Sequence, residues 1–175
     1  MTDYPAQLRP TTPADLDFVV AAEQAAHAAG FVHLWSRDRH LQALSHPDER
    51  HWMVEDVATQ VPVGYLIVLG VQDPDQCLLI KRIVISQPGK GYGRSVLVQA
   101  LAKAFGEFGA HRVWLDVMEE NHRARSLYRS LGFVEEGRLR ECVKTSNGFA
   151  SMWLMSILRS EFLARSNSAD GDFTP

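Results

Sequence analysis

Cysteine is nearly absent. Two residues, Cys77 and Cys142, are too few for a disulfide framework or a cysteine-built metal site. Each sits singly in an apolar, strand-like run, so both are expected as buried, reduced thiols in a cytoplasmic protein. The seven histidines, at 27, 33, 40, 46, 51, 111 and 122, do not substitute for them. No H-E-x-x-H and no nearby cysteine pair occurs, so no metal is expected and the histidines read as solvated or hydrogen-bonded. A basic excess is also missing. Eighteen Lys and Arg against 21 Asp and Glu give a formal net charge of −3, which argues against a nucleic-acid partner. No apolar run approaches a membrane span, and the polar start Met1-Thr2-Asp3-Tyr4-Pro5 is no signal peptide. Neither the G-x-x-x-x-G-K-[ST] nor the G-x-G-x-x-G phosphate loop is present.

What remains is ordinary globular composition, 46% apolar and 22% charged over 175 residues. That length fits one domain able to bury about two thirds of its unfolded surface. Residues 1–165 are expected to form it, with no internal repeat or linker. Ser166 to Pro175 is polar and reads as a mobile tail.

The chain is organised around the segment from Ile80 to Leu101. Ile80 to Ser86 is β-branched and ends in a Pro/Gly cluster, which predicts a strand. Leu97, Leu101, Ala104, Phe105 and Phe108 recur at helical spacing, predicting a helix from about Gly91 to Phe108. Between them Gly89, Gly91 and Gly93 alternate with Lys90 and Tyr92, and Arg94 follows. Glycines let backbone N–H groups converge on a ligand, and the helix start adds unpaired donors and a positive dipole end. Strand, glycine turn and helix start make a phosphate cradle; taken alone, the same residues also suit a tight βα turn.

Around this centre, Ala6 to Arg9 predicts a first strand. Thr12-Pro13-Ala14-Asp15 opens a helix through Leu16, Val19, Val20 and Ala22 that Gly30 ends, and Ser36 caps a second helix. The aromatic connection Phe31 to Trp35 reads first as packing over the core, and in an enzyme it is where an acceptor pocket would be lined. His51 to Val57, Val61 to Val71 and Gln76 to Ser86 are short-connected and predict an antiparallel meander. Arg112 to Val117 is a strand that a βαβ crossover places parallel to the one ending at Ser86. Asn121 caps a helix whose Ala124, Leu127, Tyr128 and Leu131 share a face, with Gly132 as its stop. Val134 to Val143 and Phe149 to Leu158 are two more strands, joined by a loop containing Asn147-Gly148.

The glycine turn on a strand, together with Asn121-x-x-Ala124-x-x-Leu127-Tyr128-x-x-x-Gly132-Phe133, resembles the GNAT superfamily of N-acetyltransferases. The ending Glu136 to Glu141, an Asn-Gly loop and Leu154 to Leu158 resembles its branch of ribosomal-protein alanine and spermidine acetyltransferases. The likeness spans about Ala6 to Leu158. It implies an α/β (α+β) fold: a mixed, mostly antiparallel sheet of six to seven strands, splayed between the fourth and fifth, with about four helices. Acetyl-CoA would lie in the wedge as cosubstrate, its pantetheine arm pairing with the main chain of Ile83, Val84 and Ile85. The pyrophosphate would rest on N–H groups of Gly89, Lys90, Gly91, Tyr92, Gly93 and Arg94, with Lys90 and Arg94 adding charge. By the same match Asn121 bonds the arm, Ala124 leaves it room, and Tyr128 protonates the departing thiolate. A main-chain N–H near Ile83 or Ile85 would polarise the thioester carbonyl.

One departure is Pro88, where the family loop has Gln or Arg; Gln87 stands one residue early. Another is the strand before the loop, which carries Lys81 and Arg82 where many relatives have a glutamate base. Glu23, Glu55, Glu119 and Glu141 stay open as bases, each also readable as a solvated surface residue. Arg123, Arg125 and Arg129 form a charged outer helix face, with one of them offered to the 3′-phosphate of CoA. The implied activity is acetyl transfer to a primary amine: a small amine, a polyamine or a protein N-terminus. A homodimer is left open. The alternatives are a non-catalytic acyl-CoA sensor on the same scaffold and a structural or nucleic-acid interaction module.

Overall fold

The computed structural model describes residues 4–167. Along the chain run β1 (Ala6–Pro10), a 3-10 turn (Pro13–Asp15), α1 (Leu16–Ala28), α2 (Arg37–Ser45), β2 (Glu49–Asp56), β3 (Pro62–Leu69) and β4 (Cys77–Ile85). Then come α3 (Tyr92–Ala102), which widens into a π turn at Lys103–Glu107, β5 (Arg112–Met118), α4 (His122–Ser130), β6 (Val134–Thr145), β7 (Gly148–Leu158) and α5 (Arg159–Asn167). The seven strands form one sheet in the order β1-β2-β3-β4-β5-β7-β6, with β4 and β5 its only parallel neighbours.

Apolar side chains on both faces make β3 an interior strand: Val63 to Val68 are all buried. Leu66 and Val68 meet Leu97, Leu101 and Phe105 on one face, and Tyr65 and Ile67 meet Val19 of α1 on the other. The sheet is thus covered by α1 and α2 on one side and by α3 and α4 on the other.

β4 carries an irregularity that its residue pattern conceals. Ile67 faces Arg82 while the next residue, Val68, faces Ile80, so Lys81 is an inserted residue. The bulge turns the strand over. Ile80 packs on the α3 side, whereas Arg82 and Val84 face α1.

The expected splay is present. β4 and β5 share three facing pairs, Cys77 with Arg112, Leu78 with Val113 and Leu79 with Trp114. Beyond them β4 pairs only with β3, and β5 only with β7.

Three expectations need correction. Cys142 is exposed, because it lies on the outermost strand β6 where pairing with β7 is interrupted between Leu139 and Val143; Cys77 is half-buried. Ser166 and Asn167, expected in a tail, belong to α5, and the rest of that tail lies outside the described residues. α5 itself is a fifth helix with no sequence forecast. Its Phe162 packs on Phe105, ring centroids 5.0 Å apart.

Candidate active site

At the end of β4 the backbone turns through Gly89 and Gly91, whose φ angles of 93° and 78° suit glycine. Gly91 is the N-cap of α3 and has no side chain to cap it. The first turn of the helix therefore receives no capping bond from its own N-cap residue, and its N–H groups point toward the loop. A Cβ on Gly93 would come within 3.4 Å of Leu127 and 3.9 Å of Ile85, so the absent side chain keeps the passage between β4 and α4 open. The Lys90 ammonium donates to Gln87 Oε1 at 2.8 Å, and Arg94 donates to Ser130 Oγ at 3.0 Å. Gln87 thus holds the loop lysine instead of standing in for Pro88.

Val84 is placed differently from its assignment, and Tyr92 keeps only the main-chain N–H assigned to it. The Tyr92 side chain is 4% exposed, packs with Ala6, Val54, Val63 and Val96, and donates to Asp56. Only its main-chain N–H is left to the cradle. The peptide groups of Val84 face β3, since Ser86 N–H donates to Val63 O and strand faces alternate. Ile83 and Ile85 are the residues that present main-chain groups to the splay.

Where β4 and β5 part, a cleft of about 420 Å³ opens. Its walls are Ile80–Ile83, Leu115–Met118, the connection from Gly30 to His33 and the hairpin from Val143 to Ser146, with Asn121 and Tyr128 completing it. The glycine loop lies outside these walls, and β4 links the two through Ile83 and Ile85. Asn121 caps α4, its Oδ1 accepting from Ala124 N–H at 3.2 Å, which leaves the side-chain NH₂ to the cleft. Ala124 packs beside Leu127 against the core.

Tyr128 is 6% exposed and lines the cleft. Burial, and then the nearby charge of Asp116, push its phenol well above the ordinary tyrosine value. It is neutral at physiological pH and holds a proton to give. No described residue hydrogen-bonds its hydroxyl.

Behind the β4 wall lies a polar chain with no forecast from sequence. Glu23, 1% exposed, pairs with Arg82, accepts from Trp35 N–H at 3.1 Å and contacts His40 Nε2 at 2.9 Å. His40 Nδ1 meets His51 Nε2 at 3.2 Å, and His51 Nδ1 meets Thr11 Oγ1 at 2.9 Å. One sequence signal was available: Glu23 continues the buried stripe of Leu16 and Val19 on α1. Of the other glutamates, Glu55 is tied to Arg9 at 2.5 Å and Glu119 to Arg138 at 2.7 Å. Arg125 and Arg129 both bind Glu135, which leaves Arg123 as the outward cation of that face.

Burial lowers His40 to about 4, with Arg39 adding to the effect, and lowers His51 to about 3, with His40 adding. Both values lie below the ordinary 6.5, so the unfolded chain takes up these protons first. This share of stability is complete above about pH 6.5 and is lost as the pH falls toward the folded values. At pH 5 the loss is on the order of 2 kcal/mol per histidine. Urea denaturation at pH 7.5 and pH 5 checks it; equal stabilities would refute the neutral, buried assignment.

Residues 11–133 match the acetyltransferase (GNAT) family. The chain belongs to that family. A spermidine N(1)-acetyltransferase of Vibrio cholerae serotype O1 is 31% identical over 119 residues, covering 67% of this chain and 68% of its own. Among solved structures, spermidine N-acetyltransferase from Vibrio cholerae in complex with CoA and spermine superposes with a TM-score of 0.81 at 26% identity, covering 91% of this chain and 98% of its own. A dodecameric structure of the Vibrio cholerae enzyme gives 0.79 at 26% identity over 93% and 99%. This GNAT protein is an acetyltransferase, and no helix among its described residues is long and apolar enough to cross a membrane.

Proposed function

We propose that the chain transfers the acetyl group of acetyl-CoA to a primary amine held with it in one ternary complex. The observation that carries this is the parting of β4 and β5 after three pairs, next to a helix start whose amides have no side-chain cap. These residues fit CoA. Main-chain groups of Ile83 and Ile85 take the pantetheine arm as a strand would, and amides from Gly89 to Arg94 take the pyrophosphate, with Lys90 and Arg94 adding charge. The Asn121 NH₂ is free to bond the arm. Acetyl-CoA supplies an acyl group activated as a thioester.

The Ile83 N–H polarises the carbonyl on which negative charge develops. The neutral amine nitrogen bonds to the acyl carbon as the C–S bond breaks, and Tyr128 O–H donates its proton to the departing sulfur. The amine's own proton passes to water or to Asp116, the only carboxylate on the cleft walls among the described residues. Solvent then reprotonates Tyr128. Two unpaired cysteines suit a reducing, cytoplasmic setting, and the relative's dodecamer makes self-association worth measuring by light scattering.

The test is release of free CoA thiol from acetyl-CoA in the presence of an amine panel. Thiol release that depends on an amine supports the enzyme. CoA binding with no release from any amine would support the non-catalytic acyl-CoA sensor instead.

A further inference from the structure

We infer that the acceptor is a primary amine that also carries an anionic group, a carboxylate, and is not a polycation. The inference rests on the acetyltransferase reading above and concerns the amine side of the same cleft.

Besides Tyr128, the titratable side chains on the cleft walls are His27, His33, Lys81, Arg82, Asp116 and Lys144. A polyamine brings several ammonium groups, each needing a partner once water is removed. These walls offer one carboxylate. Of the neighbouring carboxylates, Glu23 is engaged with Arg82 and His40, Glu119 with Arg138, and Glu135 with Arg125 and Arg129, while Glu120 and Glu141 line a separate hollow beyond Met118, outside these walls. Arg82 is in turn balanced by Glu23 and adds no net charge.

Lys81 and Lys144 are different. Lys81 is the inserted residue of the β4 bulge, half-buried on one wall, and Lys144 comes from the β6–β7 hairpin on another. Among the described residues neither has a carboxylate partner. The CoA phosphates do not claim them, because the glycine loop has its own Lys90 and Arg94 and lies outside these walls. Leu79 faces Trp114, so Lys81 and Asp116, each two residues further on, stand across the wedge from each other, with Lys144 on a third wall. Asp116 pairs with the ammonium until that group loses a proton to water, which leaves the neutral amine beside the reacting carbon, while Lys81 and Lys144 hold the carboxylate.

The experiment measures thiol release with spermidine, with uncharged-tail monoamines, and with α-amino acids and short peptides, each amino acid paired with its methyl ester. The best carboxylate-bearing amine is expected to exceed spermidine in kcat/KM by at least about tenfold, and its ester to lose about tenfold, as one charge-assisted contact would give. Lys81→Glu with Lys144→Glu should abolish that preference and raise the rate with spermidine. Spermidine as the best acceptor, or an ester equal to its acid, overturns the inference and leaves the enzyme reading intact. CoA bound with no thiol released from any acceptor overturns the enzyme reading itself.

Discussion

Tyr128→Phe is expected to lower kcat for thiol release by about 100-fold or more at neutral pH, with CoA affinity changed less than about twofold. The variant keeps the ring that packs against Phe133 at a centroid distance of 5.8 Å, so the cleft wall stays in place. It loses only the hydroxyl, which no described residue holds. The departing sulfur must then leave as a thiolate or draw a proton from water. Stopped-assay thiol detection at neutral pH, with calorimetric CoA titration alongside, checks both halves. Unchanged turnover removes the acid role from Tyr128.

Gly91→Glu is expected to weaken CoA binding by about 100-fold, on the order of 2.7 kcal/mol. The position sits at the N-cap of α3 with φ 78°, beside the amides assigned to the pyrophosphate. A carboxylate there would itself accept from those amides and repel the phosphates. Backbone strain is a separate contribution, since non-glycine residues pay for this conformation. Gly91→Asn separates the two, because asparagine adopts left-handed geometry readily and carries no charge. The Asn variant should bind CoA within about fivefold of the parent, by the same affinity scale. If Glu and Asn weaken binding equally, strain and not charge is responsible, and the cradle assignment fails.

Much of this architecture was legible because its signals are local. The β-branched run before Pro88, the glycine alternation and the four-residue repeat of Leu97 and Leu101 each fix one element without reference to the rest. The bulge at Lys81 left no such trace. Burial along β4 alternates without a break from Cys77 to Ile85, although the strand changes the face it presents at Lys81. Tyr92 looked like a member of the cradle because glycines flank it. As the first residue of α3, it turns its ring back toward β1 and β2. Glu23 was one of four glutamates open as a base or a solvated surface residue, and its burial went unforeseen because a carboxylate inside an apolar stripe is understood only with its partners, and Arg82, His40 and Trp35 are far away in sequence. α5 buries Phe162 and little else, so no periodic pattern announced it.

The join between β4 and β5 also has a mechanical meaning. Three facing pairs connect the two halves of the sheet, against seven between β5 and β7. A border that short acts as a hinge, with α3 bridging the halves as a tether. With the fewest facing pairs of any strand border in the sheet, this is where the sheet is expected to open first, as hydrogen exchange at Leu78 and Leu79 would read.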